Sequence, residues 1–172
     1  MIKFVKVNIN RTEKKYKNLQ FLEKIYHLYK KYYCYLSDDY ADFDNILDEI
    51  INLIEKTSPF FWVILDNDNF AGFVFLENII GSKDKMHSAE ITTAFKKEYW
   101  GDFTKKSAIK FIRYCFKKLN FKKLKALVFK ENVKTTKILK TAGFKFEAEL
   151  KSETLKNGKL QDIKVYSITQ KR

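Results

Sequence analysis

The stretch AEITTAFKKEYWGDFTKKSAIKFIRYCF, residues 89–116, decides the fold because it joins a strand pattern to a helix pattern through a short loop. Residues 86–95 have the composition of a strand. From Ala108 to Leu119 the apolar side chains recur at i, i+3, i+4, i+7, i+8 and i+11, which predicts an amphipathic helix. The loop between them holds one glycine, Gly101, followed by hydroxyls and lysines. Such a junction is typical of a phosphate-binding loop, although a plain helix start has the same pattern.

Upstream of this stretch, the sequence predicts two helices between short strands. Residues 2–8 have a strand composition, and apolar spacing predicts a long helix over 12–36 and a second one that ends near Lys56. The segment 37–42 separates the helices and offers N-cap candidates. Residues 60–66 and 70–80 flank the turn at 66–69, which predicts a β-hairpin.

Downstream, the pattern continues with a strand over 122–130. Asn132 is placed to cap a short helix that runs to Ala142, and Gly143 is placed to end it. The pair Asn157-Gly158 lies between two alternating segments, a strong hairpin signal. The resulting order, β-α-α-β-β-β-α-β-α-β-β, predicts an α/β (α+β) fold with a mixed sheet and helices on both faces, in a single domain over 1–172.

The charge of the chain is distributed unevenly. The net charge is +13. Residues 1–95 carry 12 basic and 14 acidic side chains, whereas residues 96–172 carry 22 basic and 7 acidic ones. A half that is this basic favours a polyanionic partner, either a nucleic acid or a highly phosphorylated small molecule. Lysine outnumbers arginine 31 to 3, so a solvated lysine-rich surface is the alternative interpretation.

Composition also limits the class of protein. No apolar run is long enough to span a membrane, and residues 1–15 lack the apolar core of a signal peptide, so a cytoplasmic protein is expected. Cys34 and Cys115 are too few for a disulfide framework and lie on apolar helical stripes, which predicts buried free thiols. No set of residues has the spacing of a metal site, and the acidic segment 38–44 lacks the pattern of a calcium loop.

Over residues 89–150 the chain resembles the Gcn5-related N-acetyltransferase (GNAT) family, in particular the branch of ribosomal-protein N-terminal and polyamine acetyltransferases. The resemblance lies in a strand glutamate, a Tyr-Trp-Gly loop, a helix with an aromatic end, an Asn-x-x-hydroxyl motif and a Gly-Phe pair. These motifs are Glu90, residues 99–101, residues 114–116, residues 132–135 and residues 143–144. The resemblance implies a mostly antiparallel GNAT-like sheet and acetyl-CoA as co-substrate.

The same resemblance implies which residues contact acetyl-CoA. Residues at the strand end would hold the thioester arm, and the loop and first helical turn would hold the pyrophosphate. Asn132 would contact the pantetheine arm, and Lys137 would point toward the adenosine phosphate. The implied cofactor residues are Ala94, Phe95, Lys96, Gly101, Phe103, Thr104, Lys105, Asn132 and Lys137. Phe103 departs from the family pattern, since it occupies the position of a second glycine.

Two residues are catalytic candidates by resemblance. Glu90 is the candidate base for the acceptor ammonium, either directly or through a water molecule. The alternative for Glu90 is a carboxylate paired with a lysine. Thr135 occupies a position where this branch often has serine, and its hydroxyl would protonate the leaving thiolate. A backbone N–H near Phe95 would polarise the thioester carbonyl, and the amine would attack it without a metal or a covalent enzyme intermediate.

Two functions follow from these patterns. The first is an acetyl-CoA-dependent N-acetyltransferase that acts on a primary amine, such as a protein N-terminus, a lysine, or a small amine or aminosugar. The second is an inactive or weakly active protein of the same fold whose basic C-terminal half binds nucleic acid or another macromolecule. Stacking of bases would require aromatic side chains among the lysines, and Phe121, Phe129 and Phe146 each also fit a core position. The sequence leaves the acceptor and the oligomeric state open.

Overall fold

The computed structural model describes residues 1–12, 15–40, 45–82 and 85–170. Nine strands lie within these ranges: β1 (Ile2–Lys6), β2 (Asn8–Asn10), β3 (Lys15–Lys17), β4 (Phe61–Asp66), β5 (Asn69–Ser82), β6 (Lys85–Phe95), β7 (Lys123–Phe129), β8 (Lys145–Lys156) and β9 (Lys159–Thr169). The α-helices are α1 (Leu22–Lys31), α2 (Tyr33–Leu36), α3 (Ile46–Thr57), α4 (Asp102–Lys117) and α5 (Val133–Thr141). Short 3-10 helices lie at Leu19–Phe21 and Lys97–Tyr99. None of the helices in the described ranges is long and apolar enough to cross a membrane.

Seven strands form a mixed sheet in the order β1-β4-β5-β6-β7-β9-β8, and β2 pairs with β3 in a separate ribbon. The pairs β1/β4, β4/β5, β7/β9 and β8/β9 are antiparallel. Strands β6 and β7 are parallel, as expected for a crossover through α4. The predicted mixed and mostly antiparallel sheet is therefore confirmed.

The chain divides into two compact units, residues 1–76 with 93–100 and residues 77–92 with 101–172. They are called the first and second units below. The first unit has an apolar core built by α1, α3 and strands β4 and β5, and Ile50, Ile54, Phe61 and Phe73 are completely buried in it. Strand β4 has five buried residues in succession, as a strand covered on both faces requires.

In the second unit, α4 packs its apolar stripe inward. Phe111, Ile112 and Cys115 are buried, which confirms the stripe predicted from the sequence. The caps of α5 are also confirmed, since the Asn132 side chain accepts a hydrogen bond from Thr135 N–H and Gly143 follows the helix with φ of 97°. Phe121 is buried as expected. Phe146, for which a core position was expected, is 54% exposed, because it lies over Tyr166 at the sheet surface.

Both hairpin predictions are confirmed. Asn67 and Asp68 have φ of 45° and 71° at the β4–β5 turn, and Asn157 and Gly158 have φ of 50° and 68° at the β8–β9 turn. Two successive residues with positive φ define a type I′ turn, whose twist matches that of the flanking strands. Asparagine, aspartate and glycine tolerate this backbone conformation better than other residues.

The long helix expected over residues 12–36 is wrong. Residues 15–17 form β3, in which Tyr16 pairs with Ile9, and Asn18 adopts a left-handed conformation with φ of 59°. The Asn18 side-chain nitrogen donates to the Lys6 carbonyl at 2.7 Å, which fixes the turn before the helices. The helical region is interrupted again at Tyr32, whose φ and ψ of −113° and 19° are not helical.

The start of α3 and the state of one cysteine also differ from expectation. The N-cap of α3 is Asn45, whose side chain accepts from Asp48 N–H at 3.0 Å, and not a residue of 37–42. Residues 41–44 lie outside the described residues. They include part of that segment and Phe43, whose position fits the apolar spacing of the second predicted helix. Cys34 is exposed and not buried, because it belongs to the short helix α2, which has no buried residue.

Candidate active site

The end of β6 lies in the first unit, and two hydrogen bonds fix the loop that follows it. Lys96 N–H donates to the Ala71 carbonyl at 2.9 Å, and the Trp100 indole N–H donates to the Phe95 carbonyl at 3.1 Å. Ala94 and Phe95 are each 7% exposed. The strand end that the resemblance assigns to the thioester arm is therefore a buried, mostly apolar segment whose following loop is hydrogen-bonded in place.

Gly72 of β5 allows β6 to approach closely. A Cβ atom at Gly72 would lie 2.2 Å from the Ala94 carbonyl oxygen and 3.0 Å from Phe95 Cα. Real Cβ atoms essentially never come within 3.0 Å of a backbone oxygen. Glycine at this position therefore sets the spacing of the two strands next to two of the predicted cofactor residues.

Tyr32 packs against the same loop of the first unit. Its ring centroid lies 6.1 Å from that of Trp100, and its hydroxyl oxygen is buried without a hydrogen-bond partner among the described residues. Burial and, secondly, the charge of Glu98 raise the pKa of Tyr32, so the hydroxyl keeps its proton at neutral pH.

The N-terminus of α4 begins the second unit. Gly101 is the N-cap, with φ of 99° and no atom within 4 Å of the position a Cβ would take. Neither Asp102 nor Thr104 caps this helix, since Asp102 is already helical and Thr104 is only 2% exposed. A helix start without a side-chain cap directs its first N–H groups toward an incoming acceptor.

The side chains of the first turns of α4 divide between the core and the surface. Thr104 and Ser107 are buried, and Ser107 Oγ has no hydrogen-bond partner among the described residues. Phe103 is half-buried, whereas Lys105 and Lys106 are exposed. The groups that this turn offers to an anion are therefore the backbone and the lysines, and the two hydroxyls point into the protein.

Helix α5 carries three of the predicted site residues. Asn132 uses its side-chain oxygen as the N-cap, at 3.2 Å from Thr135 N. In the described part of the chain, nothing accepts a hydrogen bond from the Asn132 side-chain nitrogen, which leaves its two N–H donors for a ligand. Thr135 is half-buried and Lys137 is exposed.

Glu90 lies in the middle of β6 and has two side-chain partners. The Lys125 ammonium donates to Oε1 at 2.9 Å, and Asn78 Nδ2 donates to Oε2 at 2.7 Å. The Glu90 side chain is 16% exposed. Strands β6 and β7 pair in parallel at this point, with Glu90 opposite Lys125. The sequence left two interpretations of Glu90, a catalytic base and a carboxylate paired with a lysine. The structure contains the ion pair with lysine.

The sequence interpretation missed a buried carboxylate in the first unit. Glu49 of α3 is 7% exposed, and its Oε1 accepts hydrogen bonds from the Tyr29 hydroxyl at 2.6 Å and the Ser37 hydroxyl at 2.9 Å. Burial and the hydrogen bond to Glu49 raise the pKa of Tyr29. The signal in the sequence is a glutamate on the apolar stripe of an amphipathic helix, which is uncommon unless its charge has partners.

Among the residues that the structure describes, no group of three or more His, Cys, Asp and Glu side chains is arranged to hold a metal ion.

The fold has solved counterparts. Spermidine N-acetyltransferase from Vibrio cholerae, in complex with CoA and spermine, is 26% identical, with 98% of this chain and 95% of that chain covered and a TM-score of 0.73. A variant of the SpeG enzyme from the same organism is 23% identical over 98% and 94%, with a TM-score of 0.76. A GNAT acetyltransferase from Bacillus anthracis is 13% identical over 98% and 94%, with a TM-score of 0.72.

The sequence itself matches a family model. No curated protein matches the chain in a direct search. The model of the GNAT acetyltransferase domain matches residues 23–145, a range that contains the end of β6, the Gly101 loop and α5. The resemblance inferred from residues 89–150 is thereby confirmed. This chain belongs to the GNAT acetyltransferase family and is an enzyme of the acyl-CoA N-acyltransferase type.

Proposed function

We propose that this chain transfers the acetyl group of acetyl-CoA to a primary amine. The observation that carries the proposal is the start of α4, where Gly101 has an open, positive-φ backbone without a side-chain cap and two exposed lysines follow. Lysines in a first turn oppose the helix dipole at a cost of about 0.3–1 kcal/mol each. A bound pyrophosphate would reverse this cost, so the arrangement fits an anionic ligand.

The remaining cofactor contacts are proposed for side chains near this helix start and on α5. Lys105 would neutralise the pyrophosphate, and Lys137 would contact the adenosine phosphate. The Asn132 side-chain nitrogen has a free donor for a carbonyl of the pantetheine arm. Phe103 limits backbone approach where a second glycine would permit it, so the anion is expected to lie above Gly101 and the Lys105 ammonium.

The chemistry is proposed as direct attack of the amine on the thioester that acetyl-CoA supplies. Glu90 would accept the proton of the acceptor ammonium, and its pairing with Lys125 keeps the carboxylate in place. Thr135 would donate a proton to the departing sulfur, and a backbone N–H near Phe95 would polarise the carbonyl. Most of the rate enhancement would come from holding the amine and the thioester close together in the correct orientation.

The acceptor is proposed as an amine-bearing molecule: a protein N-terminus, a lysine side chain, or a small amine or aminosugar. The solved Vibrio cholerae relative acts on spermidine and holds spermine, so a polyamine belongs among the candidates. The high positive charge of the chain disfavours a free polyamine, whereas Asp38, Asp48 and the buried Glu49 provide negative charge in the first unit. Activity measurements with a panel of amines would therefore distinguish these classes of acceptor.

Calorimetric titration with acetyl-CoA tests the first step. The intact chain should bind with micromolar affinity, and Lys105→Ala/Lys106→Ala should weaken binding at least tenfold, because two cations at the helix start are lost. A matched control, Lys56→Ala/Lys159→Ala, removes two exposed lysines elsewhere and should leave affinity unchanged. Absence of heat at millimolar acetyl-CoA would contradict the proposal. Release of free CoA with each amine of the panel then identifies the acceptor.

A further inference from the structure

Strand β5 contains an asparagine whose backbone is not extended. Asn78 has φ of 47°, in the left-handed region, although it lies within the bounds of the strand. Of the asparagines with positive φ that the structure describes, Asn78 alone lies inside a strand; the others lie between elements, at Asn18, Asn67, Asn120 and Asn157. A left-handed residue interrupts the pleat and redirects its side chain, as in a β-bulge.

The Asn78 side chain contacts Glu90. Its Nδ2 donates to Oε2 of Glu90 at 2.7 Å, while the Lys125 ammonium donates to Oε1 at 2.9 Å. Strand β6 lies between β5 and β7 in the sheet, so the carboxylate of Glu90 is held from the neighbouring strand on each side. All three residues belong to the second unit.

Two contacts, one on each oxygen, fix the carboxylate more completely than one contact does. The last torsion of a glutamate side chain has a broad minimum, so with Lys125 alone the carboxylate would be free to turn about that bond. The hydrogen bond from Asn78 to the other oxygen fixes the plane of the carboxylate as well as its position. A carboxylate has about four lone-pair sites, so each oxygen of Glu90 keeps one for a further proton or water.

Glu90 lies where the pairing of β6 with β7 ends. The parallel register joins residues 88–90 to residues 123–125, whereas β7 continues to Phe129 and β6 to Phe95. Within the described chain, Glu90 is therefore the last residue of this ladder. A ligand atom that approaches its carboxylate from beyond the ladder displaces no backbone hydrogen bond between the two strands.

We propose that Asn78 is a positioning residue for Glu90, the base of the proposed acetyltransfer, and the inference rests on that proposed function. Asn78 does not itself touch the reacting atoms. It holds Oε2 so that the carboxylate keeps one orientation, because proton transfer requires heavy atoms about 2.6–3.2 Å apart and a rotated carboxylate would lose that distance. Glycine adopts a left-handed backbone more readily than asparagine, so the backbone alone does not require the amide.

Steady-state release of CoA, with the amine that the panel identifies, tests the proposal. Asn78→Gly keeps the left-handed backbone and removes the amide. Its kcat should fall about tenfold or more, as the loss of a hydrogen bond to a charged group implies, with the KM for acetyl-CoA unchanged. A kcat within twofold of the unmodified chain would overturn the positioning role.

The matched control is Asn120→Gly, at a second exposed asparagine with φ of 59°. Asn120 is not among the partners of Glu90 in the described chain. This variant should keep kcat within twofold, although its backbone change is the same as in Asn78→Gly. An equal loss of kcat in the two variants would attribute the effect to the backbone and contradict the proposal.

A double-mutant cycle tests whether Asn78 acts through Glu90. Asn78→Gly/Glu90→Gln should have the kcat of Glu90→Gln within twofold, because the amide has no carboxylate left to orient. Losses that add fully would show that Asn78 acts independently of Glu90, against the proposal. Asn78→Asp keeps the shape of the side chain but places a second negative charge beside Oε2, and its kcat should fall at least as far as that of Asn78→Gly.

A measurement without turnover separates this inference from the proposed function. In a proton–nitrogen correlation spectrum, the side-chain amide signal of Asn78 is identified by its absence from Asn78→Gly. It should move in Glu90→Gln, because a neutral acceptor replaces a charged one. An unmoved signal would refute the contact whether or not the chain is active. Absence of CoA release with every amine would contradict the proposed function and, with it, this role, whereas transfer that depends on Glu90 but not on Asn78 would overturn the positioning role alone.

Discussion

The Lys125 ammonium lies 2.9 Å from Oε1 of Glu90, so the strand glutamate proposed as the catalytic base is also one half of an ion pair. Glu90→Gln keeps the shape of the side chain but removes its capacity to accept a proton. We expect kcat to fall by about 10²-fold or more, with the KM for acetyl-CoA unchanged. Steady-state rates across pH 6–9 measure this effect.

The matched control for this prediction is Lys125→Gln, which removes the ion pair and retains the carboxylate. Its kcat should change far less than that of Glu90→Gln. If both variants keep kcat within threefold of the unmodified enzyme, Glu90 has only the structural role and the base is another group.

Asn132 combines a helix cap with a proposed ligand contact, and two substitutions separate them. Asn132→Asp retains an oxygen for Thr135 N–H, so the free energy of unfolding should stay within about 0.5 kcal/mol, whereas Asn132→Ala should lower it by about 1 kcal/mol. Both variants lose the side-chain N–H donor and should bind acetyl-CoA about fivefold more weakly, as the loss of one hydrogen bond implies. Wild-type affinity in the aspartate variant would limit Asn132 to capping. Chemical denaturation and calorimetry provide the two measurements.

Alanine at two glycines should affect stability for different reasons. Gly72→Ala places a methyl group 2.2 Å from the Ala94 carbonyl oxygen and should lower the free energy of unfolding by about 3 kcal/mol through overpacking. Gly101→Ala meets no atom within 4 Å, so its cost is confined to the strained backbone conformation, with φ of 99° and ψ of −127°, about 1–3 kcal/mol. Urea unfolding measures the free energy of unfolding of both variants. A smaller decrease for Gly72→Ala than for Gly101→Ala would contradict the close approach of β5 and β6.

The β8–β9 hairpin should give the fold a dependence on acidic pH. The Ser152 backbone N–H and the Lys151 ammonium hold the pKa of Asp162 well below its usual range, and Lys151 and Lys130 lower the pKa of Glu149. A lowered carboxyl pKa stabilises the folded state above the unfolded pKa of about 4, and this contribution is lost as pH falls toward the folded value. Asp162→Asn should therefore lower Tm at pH 7 and should make Tm fall less steeply below pH 4 than in the unmodified chain.

The control for the pH prediction is Asp68→Asn, which removes a surface ion pair with Lys3 in which the aspartate side chain is 76% exposed. Exposed pairs contribute little to stability, so this variant should follow the unmodified Tm curve from pH 7 to pH 2. An equal shift in both variants would show that net charge, and not the hairpin network, sets the dependence.

Local signals in the sequence predicted much of this fold. The turn residues at 67–68 and 157–158, the Asn132 cap and the apolar stripe of α4 each depend on neighbours within a few positions along the chain, and the structure confirms them. Helical spacing wrongly predicts a helix at residues 15–17, because their strand conformation depends on pairing with residues 8–10 and on a hydrogen bond from Asn18 to a carbonyl 12 residues earlier. Such contacts leave no periodic signal.

In the candidate site, too, features that depend on sequence neighbours were predictable, whereas features that depend on distant contacts were not. The order of motifs identified the family and located Gly101, Asn132 and Glu90 on the correct elements. Periodicity did not reveal that Thr104 and Ser107 point into the core, or that Glu49 is buried against the Tyr29 hydroxyl. The direction of a polar side chain near a helix start depends on what packs against the helix, and that information lies in distant parts of the chain.

The two cysteines differ in a way that provides a probe. Cys34 is exposed, whereas Cys115 is buried and burial raises the pKa of its thiol, so maleimide reagents should modify Cys34 selectively. A fluorophore or spin label can thus be placed on α2 of the first unit without mutagenesis. Its emission or mobility would then report on ligand-induced changes in the helical region that precedes β4, independently of any turnover assay.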